Sequence, residues 1–221
     1  MTTDRKNGIF SGIFFILATI TYMTASSMLP ASVEIPNYLA QLPSNKTHLL
    51  LAVCCELIND MSVVGIGILM FRLLKPYSED AALAYFSIRS IEGAVLFVSS
   101  VSPLLLIPIS DAIGKATTTD LSFYHTLGVL AMKWHYYTFQ IALLATGFSG
   151  IVLCYLLFVK KITARWMSVL GLVGYVAIFV KTFADFFGYE GGTIVYMPGA
   201  LFELIFPILL IVKGLKTVEE K

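Results

Sequence analysis

HLLLAVCCELINDMSVVGIGILMFRLL, residues His48 to Leu74, decides what kind of protein this is. Across those 27 residues only Glu56, Asp60 and Arg72 carry charge. As a helix rising 1.5 Å per residue the segment is about 40 Å long, enough to cross a hydrocarbon core about 30 Å thick. The pattern recurs on both sides of it. Apolar segments run from about Ile9 to Leu29, His48 to Leu74, Ala81 to Ile109, Trp134 to Val159, Trp166 to Phe187 and Thr193 to Val212. Each is near or above the roughly 20 residues a spanning helix needs. Inside lipid the backbone must satisfy its own hydrogen bonds, so the expected fold is all-α: a polytopic integral membrane bundle of about six transmembrane helices.

Composition points the same way. Of 221 residues 57% are hydrophobic and only 13% charged, and the mean hydropathy is +0.83. Soluble domains carry about a quarter charged residues, because they must cover themselves with polar surface. No second composition appears along the chain, so residues 1–221 read as a single membrane domain. A net charge of +1 excludes a strongly basic nucleic-acid binder.

The segments between the spans set topology. With a cytoplasmic N-terminus, the inside carries Arg5, Lys6, Arg72, Lys75, Lys160, Lys161, Arg165, Lys213, Lys216 and Lys221, and the outside only Lys46, Lys115 and Lys133. That bias predicts both termini in the cytoplasm, with Trp134 and Trp166 at the interfaces. Pro30, Pro36 and Pro43 mark a linker before the second span. The polar stretch Ser110 to Lys133 contains Gly114 and Thr117-Thr118-Thr119-Asp120. Asp120 is placed to cap a short interfacial helix carrying Leu121, Tyr124, Leu127 and Leu130. Two alternatives stand beside this reading. The first span, preceded by Arg5 and Lys6 and followed by Ala25-Ser26-Ser27, also fits a signal peptide. Leu96-Phe97 with Pro103, and Leu201-Phe202 with Pro207, hint at a three-plus-three repeat.

The informative residues are the ionisable ones within apolar segments, since a charge at mid-membrane costs a few kcal/mol and normally faces the interior with a partner. Glu56 and Asp60 occupy the second span, Arg89 and Glu92 the third, Lys181 and Asp185 the fifth, and Glu203 the sixth. From the helical rise, Glu56 lies roughly 12 Å and Asp60 roughly 18 Å below the outer end of their span. Arg89 and Glu92 lie roughly 12 and 16 Å above the inner end of theirs, and Glu203 roughly 15 Å below the outer end of the last. These five share a slab near the midplane, while Lys181 and Asp185 lie closer to the outer interface as a structural pair. Arg89 with Glu92 (i, i+3) and Lys181 with Asp185 (i, i+4) are spaced for ion pairs within one helix. Three carboxylates are then left over. In a low-dielectric interior some must carry a proton, hold a cation or meet water. Balanced charge would suit interhelical glue; this excess does not. Arg89, with five donors, is expected to bridge Glu92 to a carboxylate on the second or sixth span.

Other signatures are sparse. Cys54, Cys55 and Cys154 sit in apolar runs and read as small hydrophobes. His48, His125 and His135 lack metal-ligand spacing, so no metal and no cofactor is expected, and His135 beside Trp134 reads as interfacial. No phosphate loop or nucleophile elbow is present. Gly8-x-x-x-Gly12 and Gly147-x-x-Gly150 permit close helix packing.

Glu56-Leu57-Ile58-Asn59-Asp60, Arg89-Ser90-Ile91-Glu92-Gly93, Tyr124-His125-Thr126-Leu127-Gly128, Ala164-Arg165-Trp166-Met167-Ser168 and Leu201-Phe202-Glu203-Leu204 with Lys213-Gly214-Leu215 follow one another along nearly the whole chain. In order and spacing the chain resembles the bacterial multi-span family catalogued as domain of unknown function 4386. The resemblance implies a prokaryotic cytoplasmic-membrane protein with a basic loop before the fifth span, and no particular activity. The family's Arg-x-x-Glu and late Glu correspond to Arg89, Glu92 and Glu203.

The expected function is that of a small binding or transport protein, with the midplane carboxylates receiving a proton or a cationic ligand, and Pro103, Pro108, Pro198 and Pro207 loosening the flanking helices. The alternatives are a membrane-embedded enzyme acting on a lipid, with a carboxylate base and Arg89 on the headgroup, or a structural or regulatory subunit. The expected partners are the lipid bilayer and a proton, cation or lipid ligand.

Overall fold

Local sequence sets where several of the helices start and stop. In a computed structural model describing residues 3–30, 35–114, 121–189 and 192–215, the helices are α1 (Thr3–Met28), α2 (Ile35–Leu74), α3 (Glu79–Val101), α4 (Leu106–Ile113), α5 (Leu121–Val159), α6 (Arg165–Phe186) and α7 (Met197–Val212). Ser78 caps α3, its hydroxyl accepting from the Ala81 N–H at 3.3 Å, and Glu79 and Asp80 occupy the first turn where the helix dipole favours acids. Pro103, lacking an N–H, opens a 3-10 turn (Ser102–Leu105) that joins α3 to α4. At the end of α6, Gly188 takes a φ of +78°. There the N–H of Tyr189 returns to the Ala184 carbonyl and that of Gly188 to Asp185, closing a Schellman motif.

Six segments are long and apolar enough to cross a membrane, as the spacing predicts, and the described residues form no strands. Two boundaries differ from expectation. Helix α2 starts at Ile35, inside the predicted linker, and runs through Pro43; its 40 residues span about 60 Å. The predicted interfacial helix is the first part of α5, which continues without a break for 39 residues. The reason is tertiary. Ile35, Leu39, Leu42 and Leu49 of α2 pack with Leu106 of α4 and with Ala131 and Met132 of α5 in a second apolar core. Gly128 lets α5 approach Ile35 and Leu39, and the Ser110 hydroxyl donates to the Leu39 carbonyl at 2.8 Å. These long helices overshoot a hydrocarbon core of about 30 Å and form a helical cap at one end of the bundle. Asp120 and the threonine run lie outside the described residues.

The main core joins α1, α2, α3, α5, α6 and α7. Its aromatic spine is Phe15, edge-on to Phe206, with Phe206 stacked on Phe202 at 4.9 Å and Tyr175 edge-on to Phe202. Small residues bring the helices together. A side chain at Gly12 would strike Pro207 and Ile211, one at Gly150 the Tyr175 ring, and one at Gly174 the backbone of Gly199. Helix α1 packs along α2 and α7. Arg5 ties its start to the end of α7, donating from Nη1 to the Leu210 carbonyl at 2.8 Å and from Nη2 to those of Ile211 and Val212. Both ends of the described chain therefore lie at the bundle end remote from the cap. In the suggested internal repeat Phe97 is exposed and its counterpart Phe202 fully buried.

Candidate functional site

The centre of the bundle is charged. Arg89 and Glu92 project from the buried face of α3, which also carries Tyr85, Gly93 and Leu96. Arg89 Nη1 donates to both Glu92 oxygens, at 2.8 and 2.9 Å, and the two residues are 5% and 2% exposed. The guanidinium lies over the rings of Phe15 and Tyr85, 5.9 and 6.0 Å from their centroids, where cation–π attraction offsets part of the lost hydration. On α7, Glu203 accepts from the Tyr175 hydroxyl at 3.0 Å. Arg89, Glu92 and Glu203 line one cavity of about 290 Å³, together with Asn59, Thr146 and apolar groups from α1, α2, α5 and α6.

The expected convergence of four residues holds for three. Among the described residues, Glu92 is the only carboxylate within ion-pair distance of Arg89. Glu203 shares its cavity without an ion-pair contact, and Glu56 faces elsewhere. Glu56 Oε1 lies 3.2 Å from His135 Nε2 on α5. The other ring nitrogen of His135 is 3.0 Å from Ser99 Oγ and 3.1 Å from its carbonyl, while Ser99 Oγ donates to the His135 carbonyl. Asp60, 1% exposed, accepts from Ser100 Oγ at 2.8 Å and from Asn59 at 3.2 Å. The two acids of α2 are thus held by α3 and α5, and Asp60 is satisfied by neutral donors instead of a cation. His135 faces the bundle interior from α5, which starts thirteen residues before Trp134.

Lys181 and Asp185 form the expected i, i+4 ion pair on α6. They face inward: Gln140 donates to Asp185 at 3.3 Å, and the Lys181 ammonium lies 5.9 Å from the Tyr196 ring centroid. With Glu56, His135 and Lys133 they line a larger cavity of about 770 Å³, next to the cap. The two cavities share Tyr22, Phe139, Leu143 and Tyr196. Tyr22 and Phe139 stack nearly parallel, centroids 5.3 Å apart. An aromatic partition therefore separates a vestibule on the cap side from an inner chamber at mid-bundle.

Six apolar helices around a charged interior chamber define a multi-pass membrane protein. The chain belongs to the family whose model is described as Domain of unknown function (DUF4386), which matches residues 10–214. Comparison with curated proteins and with solved structures gives no match.

Proposed function

We propose that this protein binds or transports a small molecule, and that its interior carboxylates receive a proton or a cationic ligand. The observation that carries the reading is the pair of adjoining cavities. They run from the cap side to Glu203 through walls rich in aromatic and charged groups, which suit ammonium recognition. Counting ionised groups, the inner chamber holds Arg89 against Glu92 and Glu203, leaving one acid in excess. A proton or a monocation would neutralise it.

Mass spectrometry of small molecules and lipids retained by the purified protein, wild type against Glu203→Gln, tests this. The wild type is expected to retain an amine-bearing molecule that the variant lacks or, if the ligand is a proton, to release more protons on an alkaline jump. Identical retained molecules together with identical proton release would overturn the reading.

The same proposal sets orientation: the vestibule faces away from the cytoplasm of a prokaryotic cell, and both termini face inward. The basic loops Arg72–Lys75 and Lys160–Arg165 lie at the termini end, which supports this. In a background with Cys54 and Cys55 changed to alanine, a membrane-impermeant thiol reagent is expected to label Ser44→Cys on intact cells and to miss Pro76→Cys. Reversed labelling would refute the orientation.

A further inference from the structure

We propose that the inner chamber takes a small zwitterion, its anionic group on Arg89 and its ammonium on Glu203. This rests on the reading of the chamber as a ligand site. Arg89 spends a single nitrogen, Nη1, on both oxygens of Glu92. Its Nε is buried with no partner, and Nη2 makes no hydrogen bond among the described residues. A guanidinium has five donors in one plane, and the idle Nε–Nη2 edge is the edge that meets two carboxylate or phosphate oxygens side by side. Burying charged donors without acceptors is costly, so an acceptor is the missing complement.

Glu203 presents the opposite half. Oε1 accepts from Tyr175, and among the described residues no donor reaches Oε2. A simple amine would satisfy Glu203 and leave the guanidinium edge idle; a simple anion would do the reverse. A molecule bearing both charges satisfies both. It also produces an alternating order, with Glu92 negative, Arg89 positive, the ligand negative then positive, and Glu203 negative. Such a ligand sets each buried charge beside an opposite one. Ala18, Ile66, Ile178 and Ala200 offer apolar wall for a short hydrocarbon spacer, and about 290 Å³ suits a molecule of modest size. The shared chemistry is one anionic group and one ammonium a few bonds apart, available from a free amino acid or from a phosphoethanolamine lipid headgroup.

The test is calorimetric titration of the detergent-purified protein with glycine, β-alanine, 4-aminobutyrate and 6-aminohexanoate. Matched butylamine and butyrate, and a short-chain phosphatidylethanolamine, complete the series. One zwitterion is expected to bind at least tenfold tighter than butylamine or butyrate, and its length reports the span between the two anchors. Glu203→Gln should weaken it tenfold or more, and Tyr175→Phe should weaken it less. Binding by the lipid and by no free amino acid would identify the headgroup as the source. Equal binding of butylamine and 4-aminobutyrate, both lost in Glu203→Gln, would overturn the zwitterion and leave the cation reading standing. If no compound binds, the zwitterion falls and the proton reading is left standing; zwitterion binding unchanged in Glu203→Gln would overturn the assignment to this chamber.

Discussion

Arg89→Met is expected to destabilise the folded protein by about 3–5 kcal/mol, because it strands the charge of a nearly fully buried Glu92. Methionine replaces the stem of arginine at similar volume, so the loss reports charge more than packing. Glu92→Gln should also be costly, since it leaves Arg89 buried with no anion, and its cation–π contacts to Phe15 and Tyr85 recover only about 1–2 kcal/mol. The double variant removes both charges together. It should therefore be more stable than the sum of the single losses predicts, with a coupling energy of about 2 kcal/mol or more. Equilibrium unfolding in mixed detergent micelles measures all four corners of the cycle. Additive losses would show that the two side chains do not act as a pair.

Gly174→Val is expected to lower stability by about 3 kcal/mol, at the upper end of what overpacking a core costs. A Cβ at Gly174 would sit 2.3 Å from the Gly199 nitrogen and 2.5 Å from its Cα. Both are backbone atoms and cannot rotate away, so α6 and α7 must separate. Tyr175 follows Gly174 directly, and Glu203 lies one turn after Gly199. Separation would thus lengthen the 3.0 Å hydrogen bond that holds Glu203, and ligand retention should fall along with stability. Gly114→Ala is the control, as among the described residues its new atom would meet only the Asp111 carbonyl at 3.7 Å, and it should change stability by less than about 0.5 kcal/mol. A folded Gly174→Val protein with wild-type stability would contradict the tight crossing of α6 and α7.

Much of the site could be read without coordinates. Arg89 with Glu92 and Lys181 with Asp185 are pairs within single helices, and helical spacing alone predicts them. Glu203 was legible as an uncompensated acid in an apolar run. The partners of Glu56 and Asp60 were not legible. His135 and Ser99, Ser100 and Tyr175 are ordinary residue types whose roles depend on which helix faces which. Depth placed Glu56 and Arg89 in one slab, but depth has no azimuth, and the rotation of α2 turns Glu56 toward α5.

By itself the sequence determined an all-helical membrane bundle of six spans, with both described ends on one side and a charged interior. The reason is that the cost of exposing backbone and charge to lipid depends on composition along a segment, and composition is local. Only the tertiary structure decided that α2 and α5 continue past the membrane into a cap. Only it decided that Glu56 belongs to His135, and that an aromatic pair divides two cavities. Those features come from apolar faces and small residues on helices distant in sequence, such as Gly128 against Ile35, Gly174 against Gly199, and Tyr22 against Phe139. Which faces meet depends on packing between helices, and no single segment carries that information.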